Sequence, residues 1–412
     1  MTESPAVGHP PFPVLWLCGP PGVGKTTTGW ALHQRLARRG ERVGYLDIDQ
    51  LGMNFPEPPD DPGRHRLKTR NLGALLANYR AAGARCLIVS GVVDAARGVR
   101  GGDLPGARLT VCRLSVGPDE LRRRYLGRGS PPAGLPEVLA EAEALARADL
   151  ADLRLDTGGL APIEVADRLL AHWPSPVEPS APASVGPAPP RPDGPEGTAG
   201  GPGEVLWLCG ATGVGKSQVG WEVFQRALRA APAALVDLAQ LGFLRPAPAD
   251  DPEAHRLRAA NLAALHANYA ALGTRRLVVV GPVRHPDTVA DYRRRLPGVR
   301  LTLARLDASA APLLDRVLRR GAGHPPFLPG DPLTGKPAPK LRRIAAAAAG
   351  EAAALADAGL GDLSVDTDGR SVTEVADALL ARWRWAPAGP DQRAVPAPAL
   401  PAPAPATDTP RP

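Results

Sequence analysis

The 412-residue sequence predicts an α/β fold laid down twice in tandem, each time as a parallel five-stranded sheet flanked by helices. Three observations predict it. Short, wholly apolar runs, the mark of strands buried on both faces, alternate with helical patterns. A glycine-rich loop joins the first such run to the first helix. The whole order then restarts after a stretch of Pro, Ala, Gly and Ser at 174–203.

In chain order, residues 1–13 are expected to be a flexible tail, without the basic stretch and apolar segment of a secretory leader. Val14–Cys18 is the first strand. Thr26 to Arg39 reads as a helix ended by Gly40. Arg42–Asp47 is the second strand, with Asp47-Ile48-Asp49-Gln50 at its C-terminal end, and residues 53–63, rich in Pro and Asp, form a loop. Arg64 to Ala82 is a long helix with Leu67, Leu72, Leu75, Leu76 and Tyr79 along one face. Cys86–Gly91 and Arg108–Leu114 are the third and fourth strands. Asp119–Arg128 is an arginine-dense helix and Pro136–Leu150 another. A short fifth strand near Leu153–Leu155 leads into Asp156-Thr157-Gly158-Gly159, and a last helix runs from Pro162 to Trp173.

The domain organisation follows. Residues 14–173 form a first domain and 204–385 a second. A disordered, proline-stiffened linker occupies 174–203 and a disordered Pro/Ala-rich tail 386–412. The recurrence is detailed. Asp60-Asp61-Pro62, Asn71-Leu72 and Asn78-Tyr79 return as Asp250-Asp251-Pro252, Asn261-Leu262 and Asn268-Tyr269. Leu87–Gly91 returns as Leu277–Gly281, and Asp156-Thr157 with Glu164–Asp167 as Asp366-Thr367 with Glu374–Asp377. The recurring asparagines are expected to hydrogen-bond within the fold.

Composition narrows the function classes. The net charge of +7 rests largely on arginine, which fits anion-binding sites. Aromatic residues are only 4%, too few to furnish stacking platforms, which argues against nucleic acid as a partner. Cys18, Cys86, Cys112 and Cys209 all lie inside apolar runs with no metal-ligand spacing, as expected of buried, reduced thiols in a cytoplasmic protein. No apolar run approaches the roughly 20 residues of a membrane span, so no membrane association is expected.

The chemistry is carried by Gly19-Pro20-Pro21-Gly22-Val23-Gly24-Lys25-Thr26, set between strand and helix, and by its near-copy Gly210-Ala211-Thr212-Gly213-Val214-Gly215-Lys216-Ser217. This is the pattern and context of a phosphate-binding P-loop, so the fold expectation becomes two tandem P-loop NTPase domains. Glycines let backbone N–H groups face phosphates, and the helix N-terminus adds its dipole. Lys25 and Lys216 reach the terminal phosphates, while Thr26 and Ser217 offer hydroxyls to Mg²⁺. The expected ligands are therefore a nucleoside triphosphate, ATP, together with Mg²⁺.

The surroundings of the loop refine this. The base-reading signature of GTPases is absent, and the third strand ends in Ser90-Gly91 or Val280-Gly281 without the acidic pair of motor ATPases. The carboxylates stand instead after the second strand, at Asp47 and Asp49. With the P-loop, the glycine ending strand three, the arginine-rich helix and the late Asp-Thr loop, the sequence resembles the small-molecule and nucleotide kinases of the P-loop class, the shikimate, gluconate and adenylylsulfate kinase group. The resemblance implies phosphoryl transfer to a small-molecule acceptor, lid arginines near the transferred phosphate, and contact of the late loop with adenine.

From the residues themselves, phosphoryl transfer needs a positioned metal, cations over the moving phosphate and a carboxylate near the acceptor hydroxyl. Asp47 is assigned to the Mg²⁺ shell, with Asp237 as its counterpart, and Asp49 to orienting or deprotonating the acceptor. Arg124 and Arg128, four apart on one helical face, are expected to clamp phosphate oxygens, as are Arg316 and Arg320. The basic start of the long helix, Arg64, His65, Arg66, Lys68 and Arg70, would suit an anionic acceptor or be a solvated helix start; both readings stand. Asp47-Ile48-Asp49-Gln50 aligns with Asp237-Leu238-Ala239-Gln240, so the second repeat keeps the metal carboxylate and lacks the acceptor carboxylate. The expectation is a catalytic first domain and a second that binds nucleotide with weak or no catalysis. The alternatives are a non-catalytic, nucleotide-responsive regulatory protein and, third, a nucleic-acid end kinase or helicase-like protein.

Overall fold

The computed structural model describes residues 10–99, 101–173, 203–323, 331 and 333–385. The expected linker (but for Gly203), the C-terminal tail and the first nine residues lie outside them. The elements in order are β1 (Phe12–Cys18), α1 (Lys25–Arg38), β2 (Val43–Asp47), β3 (Asn54–Phe55), α2 (His65–Ala81), β4 (Cys86–Ser90), β5 (Ala107–Ser115), α3 (Pro118–Gly127), α4 (Leu135–Arg147), β6 (Leu153–Asp156) and α5 (Pro162–His172). There follow β7 (Glu204–Cys209), α6 (Lys216–Ala230), β8 (Ala233–Asp237), β9 (Phe243–Arg245), α7 (His255–Ala271), β10 (Arg276–Val280), α8 (Pro286–Arg295), β11 (Arg300–Asp307), α9 (Ala310–Gly321), α10 (Ala338–Asp357), β12 (Leu363–Asp366) and α11 (Val372–Arg382).

Two compact units form, and they do not coincide with the contiguous segments 14–173 and 204–385 expected from sequence. Of the described residues, the first comprises 10–49, 68–173 and 243–254, and the second 50–67, 203–242 and those from 255 to 385. A segment after the second strand of each repeat is thus built into the unit formed mainly by the other.

In the first unit the sheet order is β6-β5-β1-β4-β2-β9. The five expected strands are parallel, and a sixth, β9, pairs antiparallel with β2 at the edge, Val43 opposite Arg245 and Tyr45 opposite Phe243. Phe243 packs its ring 4.9 Å from Trp30 and 6.0 Å from Tyr45. On one face, Leu15, Leu17, Tyr45, Ile88 and Cys112 meet Leu32 and Leu36 of α1 and Val165 and Leu169 of α5. Tyr79 of α2 lies on the opposite face, where a Cβ on Gly44 would strike its ring at 2.7 Å.

The second unit repeats the plan as β12-β11-β7-β10-β8-β3. Its edge strand β3 comes from the first repeat, with Asn54 opposite Ala234 and Phe55 opposite Ala233. That register matches the one in the first unit position for position. Segment 50–67 is anchored by the Tyr269 hydroxyl donating to Leu51 O (3.0 Å), Leu235 N–H donating to Met53 O (2.9 Å) and the buried Thr274 hydroxyl donating to Asn54 Oδ1 (2.7 Å). The Arg64 guanidinium lies 3.9 Å above the Phe55 ring. Both short strands end at a proline, Pro56 or Pro246, which suits an edge because proline cannot donate to a further neighbour.

Among the described residues no helix is long and apolar enough to cross a membrane. The four cysteines are buried and unpaired. Asn71 and Asn261 are fully buried, and Asn261 donates to Leu241 O at 2.8 Å.

Candidate functional site

In each unit the site lies at the carboxyl ends of the central strands, where parallel α/β sheets open a crevice. In the first unit β1 sits between β5 and β4, and the register sets Leu17 and Asp47 on either side of Ser90. The chain turns out of β1 at Gly19, whose φ is +143° and where a Cβ would stand 2.5 Å from Leu114 O. Only glycine fits there. The loop closes on Lys25, the first residue of α1, so the first-turn amides of that helix lie at the loop.

Lys25 is buried and curls back on the loop, donating from Nζ to Gly19 O (2.6 Å) and Pro20 O (3.0 Å). Burial lowers its pKa, and the carboxylates of Glu141, Asp49 and Asp47 oppose that shift. Lys216 adopts the same pose on Gly210 O (2.8 Å) and Ala211 O (2.9 Å), and burial lowers its pKa too, against Glu351 and Asp237.

The Thr26 hydroxyl lies 3.5 Å from Asp47 Oδ2, and Asp49 N–H donates to Asp47 Oδ1 at 3.0 Å. Burial pushes Asp47 up to about 6, helped by Asp49 and opposed by that N–H, Lys25 and Lys68. A carboxylate under-compensated in this way, beside a hydroxyl, suits a divalent cation. Among the described residues no three His, Cys, Asp or Glu side chains gather as a metal cage, so the remaining ligands would be phosphate and water oxygens, the habit of Mg²⁺. In the second unit Asp237 accepts from Ala239 N–H at 2.9 Å, and burial raises its pKa as well.

Asp49 is the second residue of the helical turn Ile48–Gly52 that follows β2, exposed, with Lys68 Nζ of α2 at 2.7 Å from its Oδ1; the Lys68 side chain is only 7% exposed. Gly91 makes the turn possible. Its φ is +141°, and a Cβ would lie 2.2 Å from Ile48 Cγ2, between the two aspartates.

The arginine pairs divide in role. Arg124 donates to Val23 O (3.2 Å), Thr157 Oγ1 (2.9 Å) and Thr157 O (2.9 Å), and its Nε to Glu120 Oε1 (2.9 Å). Arg316 repeats this on Val214 O (3.3 Å), Thr367 Oγ1 (2.9 Å) and Thr367 O (2.9 Å). Each thus ties the P-loop to the late Asp-Thr loop. Arg128 instead donates from Nε to Ser130 Oγ (2.7 Å), its guanidinium 5.2 Å from the Tyr125 ring centroid. Arg320 donates from Nε to Asp331 Oδ2 (2.7 Å), a carboxylate only 4% exposed that also accepts from Leu333 N–H and the Thr334 hydroxyl.

One residue beside the first P-loop escaped the sequence reading: Glu141 of α4, partly buried, whose pKa burial raises, with Lys25 opposing that shift and Asp49 adding to it. Its counterpart Glu351 of α10 is coupled to Lys216. The available signal was the recurrence of Glu141, Leu145 and Asp156-Thr157 as Glu351, Leu355 and Asp366-Thr367 at one constant offset. Of the basic run Arg64, His65, Arg66, Lys68 and Arg70, Arg64 pairs with Glu57 (3.1 Å) and Arg66 with Asp60 and Asp61 within the second unit, whereas Lys68 belongs to the first and pairs with Asp49.

No family model matches the chain, and neither does any curated protein. Solved structures do. The tunicamycin resistance protein of Deinococcus radiodurans is 26% identical, over 39% of this chain and 94% of its own, with a TM-score of 0.32. A gluconokinase from Sinorhizobium meliloti is 18% identical, over 44% and 93%, with a TM-score of 0.28. The APS kinase of Mycobacterium tuberculosis, solved with AMPPNP and APS, is 22% identical, over 44% and 98%, with a TM-score of 0.26. The kinase group that the motifs resemble is represented among the structures similar to this chain.

Proposed function

We propose that the chain is an ATP-dependent phosphotransferase acting on a small-molecule acceptor. Transfer takes place at the first P-loop, and nucleotide is held at the second with weak or no transfer. The observation that carries the reading is the Lys68–Asp49 ion pair beside Lys25 and Asp47, for which the second repeat has Arg258 and Ala239.

In this reading residues 19–26 cradle the phosphates. Lys25 leaves the carbonyls of Gly19 and Pro20 for the terminal phosphate oxygens, and Arg128 swings from Ser130 to the moving phosphoryl group. Arg124 keeps the P-loop and the late loop in register as a wall for the base. Thr26 and Asp47 would hold Mg²⁺, with Ser217 and Asp237 as their equivalents; the ion's contribution is neutralisation of the phosphate charge. Asp49, steered by Lys68, accepts the acceptor hydroxyl proton. The acceptor oxygen bonds to the γ-phosphorus, and the bond to the bridging oxygen breaks, its electron pair leaving on ADP.

In the second unit the regulatory reading is favoured by Ala239, which has no proton-accepting group, and by the Arg320–Asp331 pair, which already engages the lid guanidinium. The test is to incubate the full chain with labelled ATP and Mg²⁺ across a metabolite panel. A phosphorylated product lost in Asp49→Asn but retained in Lys216→Ala is expected. Tight ATP binding with no product on a broad panel would replace transfer by nucleotide-responsive regulation.

A further inference from the structure

We propose that Glu141 makes the first site selective for a cationic acceptor, an amine-bearing alcohol; the inference rests on the kinase reading of that site and narrows its substrate class. Glu141 has no hydrogen bond or ion pair among the described residues, although it is partly buried and close enough to Lys25 and Asp49 to feel both charges. Asp49 is matched by Lys68. Lys25 is the cation facing Glu141 most directly, and phosphate binding draws it away. Glu141 is then a half-buried carboxylate without a counter-charge, which demands one from the ligand.

The second repeat supplies an internal comparison. There the equivalent Glu351 has a guanidinium against it, with Arg284 Nε at 3.1 Å from Oε1. Arg284 follows β10 at the position that Asp94 occupies after β4. Asp94 turns its own carboxylate onto the N–H of Ala96 at 2.8 Å. The first site therefore keeps the acidic partner and lacks the arginine. The protein cation of the second unit marks where a ligand ammonium stands in the first. An anionic acceptor would approach Glu141 with like charge, and the Arg64 and Arg66 guanidiniums that composition suggested for it serve Glu57, Asp60 and Asp61 instead. In the transfer step Glu141 neither gains nor loses a bond. It holds the ammonium while the hydroxyl proton goes to Asp49.

The test uses the full chain loaded with a non-hydrolysable ATP analogue and Mg²⁺. Ligand-detected NMR with paired probes measures binding: ethanolamine and glucosamine, glycerol and glucose, glycerate and glucose 6-phosphate. The expected order is cationic above neutral above anionic. In Glu141→Gln the cationic probes weaken roughly 10- to 100-fold and the order collapses. Asp94→Arg, which restores the second repeat's guanidinium, has the same effect without touching Glu141. Thermal melting checks that both variants fold. Equal or tighter binding of the anionic probes by the wild type, or an order unchanged in both variants, overturns the inference. The kinase reading is scored separately on the same probes with ATP: a binding order as expected, with no phosphorylated product from any bound amine, refutes transfer and leaves Glu141 as a cation-binding group.

Discussion

The Lys68 ammonium, almost wholly buried, sits 2.7 Å from Oδ1 of Asp49, the carboxylate that the second repeat replaces with Ala239. A buried cation on a rigid helix fixes the angle at which an exposed carboxylate meets an incoming hydroxyl. Asp49→Asn is expected to lower kcat for transfer by roughly 10²–10⁴-fold with nucleotide affinity nearly unchanged, and Lys68→Met by a smaller factor. Product formation and nucleotide binding, measured side by side, check this; equal loss of both in Asp49→Asn would make Asp49 a nucleotide-binding residue.

The two P-loops predict a stoichiometry. Wild-type protein is expected to bind two nucleotides, and Lys25→Ala and Lys216→Ala one each, as counted by equilibrium dialysis. Lys25→Ala should abolish transfer and Lys216→Ala preserve it. The opposite pattern would assign transfer to the second unit.

Stability should carry a pH signature from His33, a buried side chain stacked 5.1 Å from Trp30. Burial, with Arg245 adding to it, pulls its pKa down to about 4, partly offset by the Val43 backbone. The unfolded chain binds this proton near pH 6.5 and the native state only near 4, so His33 withdraws stability as pH falls through that window, at up to about 1.4 kcal/mol per pH unit. Asp47, raised to about 6, has the opposite sign: its contribution is full below about 4 and is lost as pH rises through 6. A His33→Gln variant isolates the first effect. Its stability relative to wild type should rise by about 2 kcal/mol between pH 7 and pH 4.5 in denaturant titrations. Parallel curves would mean that His33 is not buried neutral.

Phe243 belongs to the second repeat but packs on Trp30 and Tyr45 in the first unit. Phe243→Ala should destabilise that edge by about 2 kcal/mol. Amide exchange ought to quicken at Val43–Asp47 while the equivalent strand Ala233–Asp237 keeps its protection. Faster exchange in Ala233–Asp237 alone would contradict the pairing of β9 with β2.

Gly91→Ala is expected to cost a few kcal/mol, since alanine must adopt φ +141° with its methyl inside Ile48. Because Ile48 separates Asp47 from Asp49, transfer should fall further than the melting temperature alone explains. Activity retained in proportion to the folded fraction would remove Ile48 from the positioning of the two aspartates.

The elements that the sequence declared were those with strong local signals. The apolar runs Val14–Cys18 and Cys86–Gly91 fall in β1 (Phe12–Cys18) and β4 (Cys86–Ser90), and residues 19–26 join β1 to α1. The edge strands were not legible, since β3 spans two residues and β9 three, too short for any periodicity. Which repeat supplies an edge is further hidden because both encode the same strand at the same place. Arg124 lies within α3 and Arg128 at its C-terminal cap, and only contacts 101 and 33 residues away, with Val23 and Thr157, reveal that Arg124 ties the P-loop to the late loop while Arg128 reaches only its neighbour Ser130. Glu141 looked like any solvated glutamate on a helix. Its environment comes from the P-loop, more than a hundred residues earlier in the chain.

The borrowed edge strands also bear on how such a gene can change. A lesion that deletes one repeat would remove an outer strand from the sheet that remains and leave β2 or β8 with unpaired backbone groups, an invitation to aggregation.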